Sequence, residues 1–251
     1  MYSSKRVNRG PVPARGRPFR AYKLKPMFRE ATMKRAGVLV SLSVFFVTVL
    51  VTPTATLDPI NVPKLWVLSA FAFALTGILL LEIKTLFSRS HWLVIAAARL
   101  LSVAMLVALV LSNSPLAQQL FGTYGRNTGF ITYFAFGTLF IASALATNWS
   151  MAKYFMVAVG AALGVNAVYG FLQAIDKDPF DWSNPYSPVI GTLGNPNFAA
   201  AFLGMGVAFT LPFVISKSTK PKFRILSAAY ILLALFDITK SDAQQGLMSQ
   251  R

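Results

Sequence analysis

From residue 36 onward, long stretches nearly free of charge alternate with short polar segments. A helix needs about 20 predominantly apolar residues to cross the hydrocarbon core of a bilayer. Seven stretches approach that length: 36–53, 64–82, 92–111, 129–148, 153–174, 197–216 and 223–240. The first runs from Ala36 through Phe45 and Phe46 to Pro53. The fifth carries no charge from Tyr154 onward, and Gly160, Ala161, Ala162 and Gly164 suit it to close helix packing. The last is the weakest, because only 225–236 is uninterrupted before Asp237, and it is expected to be short, tilted or interfacial. The pattern predicts an all-α, polytopic membrane helix bundle of about seven transmembrane helices.

Composition agrees. Of 251 residues, 55% are hydrophobic and 13% charged, against about 25% charged in a typical soluble domain. Too little polar surface remains to coat a water-soluble globule. The net charge of +16 would by itself suggest a nucleic-acid binder, but the charge is concentrated. Residues 1–35 hold eleven basic residues and one acid, Glu30, and are broken by Gly10, Pro11, Pro13 and Gly16. Such a segment buries too little apolar area to offset its ordering entropy, so it is expected to be a disordered arm. A hydrophobic run follows directly, and basic residues beside a membrane span hold a terminus in the cytoplasm. They also attract anionic lipid, by about 1 kcal/mol per charge. The expected partner of residues 5–35 is therefore anionic membrane lipid and not nucleic acid. The basic stretch is too long, and lacks a small-residue cleavage site, for a secretory signal.

Loop charges test the orientation. With the N-terminus inside, the inner side carries the arm together with Lys84, Arg89, Lys153, Lys217, Lys220, Lys222 and Arg224. The outer side carries Lys64, Arg126, Lys177, Lys240 and Arg251, so 18 basic residues lie inside against 5 outside. This bias predicts an N-in, C-out topology. The domain plan is a cytoplasmic arm (1–35), a transmembrane bundle (36–240) and a short extracytoplasmic tail (241–251), read as a truncation point.

Candidate chemistry is sparse. The chain has no Cys and one His, which excludes a disulfide framework, a zinc ribbon and thiol catalysis. His91 is read as interfacial, and no metal or cofactor is expected. No phosphate-binding P-loop or nucleophile elbow is present. Arg99, seven residues into the third span, costs at least about 2.5 kcal/mol at membrane depth. It either snorkels about 10 Å to the inner interface or faces an anion inside the bundle. In the outer loop 121–129, Gly122, Gly125 and Gly129 surround Arg126, whose guanidinium suits bidentate phosphate binding. In the longest outer loop, Trp182 and Tyr186 are interface anchors. Asn195 is an expected cap for a helix opening at Pro196, with free N–H groups that favour an anion, and Asn197 wants a protein or substrate partner. Asp176 and Asp178 have the spacing of a metal-binding pair, but on the outer side that chemistry has no nucleotide supply.

Several of these loops resemble the O-antigen ligase/polymerase superfamily. The similar residues are Val168-Tyr169-Gly170-Phe171-Leu172-Gln173, then Gly191-Thr192-Leu193-Gly194-Asn195-Pro196-Asn197-Phe198-Ala199-Ala200, and upstream Phe121-Gly122 with Gly125-Arg126-Asn127-Thr128-Gly129. The resemblance covers roughly 60–250, and Gly-Asn-Pro-Asn is its most specific part. It implies a polytopic enzyme of the bacterial cytoplasmic (inner) membrane. Such enzymes transfer glycan from a polyprenyl-pyrophosphate carrier to an acceptor on the outer face, without metal or nucleotide. It further implies that arginines neutralise the pyrophosphate, with Arg126, Asn195, Asn197 and Arg99 as substrate-binding candidates and the catalytic residues unassigned. The family usually has about twelve spans and a His-bearing outer loop in its second half. Thr239-Lys240-Ser241-Asp242 also departs from a common Thr-x-Ser-Arg pattern. The chain is therefore expected to be an N-terminal part, inactive by itself. Two alternatives stand beside this: a transporter of bicarbonate or another small solute, using Asn166 and Arg99 as mid-membrane polar groups, and a non-catalytic scaffold recruited through the arm. Glycan, acceptor and oligomeric state are not specified by the sequence.

Overall fold

The computed structural model describes residues 26–53, 58–84, 87, 92–146, 149–182 and 187–243. Those residues form α1 (Pro26–Val49), α2 (Asn61–Leu81), α3 (Trp92–Leu111), the short α4 (Leu116–Phe121), α5 (Phe130–Ala146), α6 (Trp149–Ala174), α7 (Pro196–Ile215) and α8 (Pro221–Lys240). A 3-10 turn, Gly191–Leu193, precedes α7. No strand occurs among the described residues, so the fold is all-α. A helix satisfies its own backbone polar groups, which a lipid environment demands. Helix hydroxyls follow the same rule. Ser41 Oγ donates to Gly37 O at 2.8 Å, Thr76 Oγ1 to Ala72 O at 2.8 Å and Thr210 Oγ1 to Gly206 O at 2.8 Å.

Among the described residues, five segments are long and apolar enough to cross a membrane: Glu30–Val49, Asn61–Leu81, Trp92–Leu111, Met151–Ala174 and Pro196–Ile215. The outward surface agrees with that environment, since Phe73, Leu81, Val110, Ile215 and Leu232 all stand exposed. Such an apolar surface is stable only against lipid or protein. The chain is therefore built as a multi-pass membrane protein. α5 is apolar but only 17 residues long. α8 has the length but carries Lys222, Arg224, Asp237 and Lys240, which dilute its apolar content.

α1 is the hub, packing against α2, α5 and α6, while α6 in turn holds the α7–α8 pair. Small residues make the crossings. Ala36, Val40, Leu75, Ala142, Ala146 and Met151 form one core, and Leu163, Ala167, Leu203, Tyr230 and Ala234 form a second. With little solvent-driven force between helices in lipid, such close backbone approach supplies the packing energy.

Two boundaries differ from the sequence expectation. α1 starts at Pro26, so positions 26–35 are helical and not the end of a disordered arm. Met33 and Ala36 lie one turn apart on the buried face, while Lys34 and Arg35 project outward, so a single helix face anchors these residues despite their charge. Residues 1–25 lie outside the described residues. Lys64, expected in an outer loop, is inside the first turn of α2 because Pro63 and Leu65 already belong to the buried face.

Candidate functional site at the α1–α2 end of the bundle

Three connections meet at one end of the bundle: the α1–α2 turn, the α4–α5 loop and the α6–α7 loop. Asp58, buried in the first, accepts from Asn61 N at 2.8 Å and Asn61 Nδ2 at 3.1 Å, and so fixes the turn that leads into α2. Asn61 Nδ2 also donates to Gly125 O at 3.0 Å, which ties the Arg126 loop onto this turn. On the other side, Gly194 abuts Ile60, with Ile60 Cγ2 3.1 Å from where a Cβ would stand. The loops of Arg126 and Asn195 therefore flank the same two residues, Ile60 and Asn61.

The Arg126 loop is set by its glycines. Gly122 and Gly125 have φ of 86° and 80°, values that L side chains rarely adopt. Gly122 packs directly on the backbone of Thr128 and Gly129, leaving no room for a Cβ. Arg126 and Asn127 both donate backbone N–H groups to Thr123 O at 3.0 Å. The Arg126 side chain is exposed, and no hydrogen bond joins its guanidinium to a described residue. Beside it, Asn127 Nδ2 is buried without an acceptor among the described residues. The loop thus gathers one exposed cation and one unsatisfied donor.

The α6–α7 loop is held by polar side chains of α6 and α2. Asn166 Oδ1 accepts from Thr192 N at 3.2 Å and lies 2.8 Å from Thr192 Oγ1. Gln173 Oε1 accepts from Ile190 N at 3.1 Å and Gly191 N at 2.8 Å. Lys64 Nζ donates to Thr192 O at 2.6 Å and Thr48 O at 3.2 Å, clamping α1, α2 and the loop together. The Lys64 ammonium is thus held by backbone carbonyl oxygens of α1 and of the α6–α7 loop.

The expected helix mouth is differently arranged. Asn195 does cap α7, its Oδ1 accepting from Asn197 N at 2.9 Å and Phe198 N at 3.4 Å. Ala199 N donates to Asn195 O at 2.9 Å, and Pro196 has no N–H. The first-turn amides are therefore occupied, which corrects the expectation of free N–H groups for an anion. The same Asn that starts the helix consumes its donors. Asn197 is half-buried, and its side chain has no hydrogen bond to a described residue.

The other candidates separate from this cluster. Arg99 is exposed on α3 with its guanidinium 5.8 Å from the centre of the Phe87 ring. It lies twelve residues, about 18 Å along the helix, before Leu111, so it does not join Arg126. Asp178 accepts from Tyr169 Oη at 2.8 Å, Gln173 Nε2 at 2.7 Å and Phe180 N at 3.0 Å, and Trp182 Nε1 donates to Tyr169 Oη at 2.6 Å. That carboxylate is committed to fixing its loop, and no metal-binding group of three ligands occurs among the described residues. Asn166, the mid-membrane candidate of the transport reading, is equally committed, since Nδ2 also donates to Ala162 O at 3.1 Å. His91 and Tyr186 lie outside the described residues.

Three residues escaped the sequence reading. Lys64 counted only as an outer-side charge, and Asn61 was not singled out. Asp237 registered only as an interruption of the last apolar run, yet it is fully buried and neither carboxylate oxygen receives a hydrogen bond from a described residue. Its Oδ2 lies 2.8 Å from where a Cβ of Gly170 would stand. No protein-family model matches this chain, and no curated protein and no solved structure is significantly similar to it.

Proposed function

We propose that the protein is a glycan-transferring membrane protein of the O-antigen ligase kind. In this reading it has seven spans, N-in and C-out, in the bacterial cytoplasmic (inner) membrane. Its α1–α2 end faces outward and receives a polyprenyl-pyrophosphate-linked glycan for transfer to an acceptor. The observation that carries the reading is Arg126: an exposed guanidinium on a glycine-built loop that Asn61, at the start of α2, ties to the α1–α2 turn. A pyrophosphate leaving group needs such neutralisation, and a fixed cation supplies it without metal or nucleotide. Asn197 is placed as a second polar contact and Asn195 as the cap that orients it, while Arg99 is a separate cation deeper along α3. The basic arm binds anionic lipid on the opposite, cytoplasmic face.

The test measures binding of a polyprenyl-pyrophosphate-linked oligosaccharide to the chain in nanodiscs. Arg126→Ala should weaken it about tenfold, the order of one charge-assisted contact, with Arg126→Lys intermediate. Equal binding by all three would remove the reading. A second reading, transport of bicarbonate or another small solute, draws on Asp237, because a buried acid with no donor among the described residues suits a coupling cation. Cation-dependent solute uptake by liposomes holding the chain, abolished in Asp237→Asn, would favour transport instead.

A further inference from the structure

None of the residues of α3 is buried, and the helix packs mainly against α5. A groove runs between the two. It opens beside Phe87 and Arg99, with Val94, Ile95 and Val103 along its wall. It continues past Ala98, Ser102 and Ile141, which border both of its sections, to Leu106 and Tyr133. Apart from Arg99 the lining is apolar or hydroxyl-bearing, and the Ser102 hydroxyl is turned to Ala98 O at 2.8 Å.

Arg99 is the one charged residue of α3, and α5 has none. No hydrogen bond or ion pair joins its guanidinium to a described residue, and the Phe87 ring, 5.8 Å away at its centre, is a neutral neighbour. A cation bounded by hydrocarbon is costly at membrane depth, and neither wall of the groove holds an acid to offset it. The Cα–Cβ bonds of a helix tilt toward its N-terminus, so Arg99 leans toward the end at which α3 begins. Trp92, 67% exposed, opens the helix there and suits the interface of lipid and water. The other end of α3 leads through α4 to residues 122–129, so Arg99 serves the leaflet away from the Arg126 loop.

A groove with hydrocarbon walls and a cation at its opening is complementary to an amphiphile with an anionic head. From Val94 to Leu106 is twelve residues, about 18 Å, close to the roughly 15 Å of hydrocarbon in one leaflet. An ordinary acyl tail fills that length while its head group stays beside Arg99. A guanidinium holds phosphate oxygens bidentately, and basic pockets between membrane helices suit anionic lipid head groups. The phosphate of a zwitterionic lipid already carries its own counter-cation.

We propose that the α3–α5 groove seats one anionic phospholipid, its phosphate on the Arg99 guanidinium and one acyl tail along Ala98, Ser102 and Gly137. The site is separate from the basic arm. It needs only that α3 crosses the bilayer and is independent of the glycan-transfer reading. It supplies the counter-ion that neither helix provides, and lipid completes the packing of a helix with no buried residue.

Dioleoylphosphatidylglycerol and dioleoylphosphatidylcholine are each titrated onto the full chain in detergent, and bound lipid is counted by native mass spectrometry. Arg99→Gln removes the charge. Ser102→Trp fills the groove from α3, and Gly137→Leu fills it from α5, where a Cβ would meet only Leu101 Cδ2 at 3.5 Å. Two variants are controls: Leu100→Trp, 72% exposed and outside the lining, and Lys217→Gln, an exposed charge between α7 and α8 at the same end of the bundle. The arm is common to every variant, so only differences from the wild type count. Retention of phosphatidylglycerol should fall about tenfold in Arg99→Gln and in both groove-filling variants, and stay unchanged in the controls. Phosphatidylcholine should be held weakly by all and be indifferent to Arg99→Gln. Retention that survives Arg99→Gln, or an equal loss in either control, overturns the proposal. Retention that needs Arg99 but ignores both groove-filling variants also overturns it, because Arg99 then meets only head groups at the surface. Disulfide cross-linking between chains carrying Ser102→Cys overturns it as well, by showing a second copy over the groove.

Discussion

Side chains with the largest structural leverage are small or amide-bearing. Gly206 packs directly on Tyr230 and Leu163, whereas Gly204, two residues away, has open space where a Cβ would be. Gly206→Ala should therefore destabilise the protein by about 1–3 kcal/mol through overpacking. Gly204→Ala should be neutral or gain up to about 1 kcal/mol from helix propensity. Thermal unfolding in detergent compares the pair, and the same shift in both would contradict the packing described. Asn166→Ala strips Thr192 N of its acceptor in a buried setting and should cost about 1–3 kcal/mol, read in the same assay. Neither effect was legible in the sequence, where Gly206 looks like an ordinary member of an apolar run and Asn166 stands out only as a polar group at membrane depth. Asp237 was visible there as an acid, but only packing decides that it has no donor among the described residues.

At the scale of elements, hydropathy located the helices well, because each of the seven predicted stretches falls on one. Their ends were less legible. The start of α1 is fixed by Met33 and Ala36 packing into the core, which a charge count over residues 26–35 does not register. The six-residue α4 was missed, since Pro115 and Leu116 give too short a pattern to read. The cap on α7 was legible, because Pro196 preceded by Asn is a strong start signal. What the cap does to the first-turn amides needed geometry. Asn195→Ala frees the N–H groups of Asn197 and Phe198, and the loss of the cap should cost about 1 kcal/mol. A stability unchanged in Asn195→Ala would show that those amides are satisfied by another route.

For the whole molecule, the reading to be tested is the orientation. The chain contains no Cys, so introduced thiols report without background. In intact cells a membrane-impermeant maleimide should label Thr123→Cys on the α4–α5 loop and leave Lys217→Cys, between α7 and α8, unlabelled until the membrane is opened. The opposite pattern would invert the topology and remove the Arg126 loop from the face on which glycan transfer is proposed.

The sequence by itself determined the class of the molecule. Apolar length and charge asymmetry are one-dimensional quantities, and the bilayer reads them directly. They made the chain an all-α, multi-pass membrane protein and marked Arg126, Asn195 and Asn197 as loop residues of interest. Tertiary structure decided which of those residues meet. Asn61 reaches across 64 positions to Gly125, and Lys64 across 128 to Thr192, separations at which sequence pattern carries no contact information. It also decided which donors and acceptors were already taken. A hydrogen bond satisfied inside the protein, as at Asn195, Asn166 and Asp178, removes a residue from chemistry that its type alone would allow.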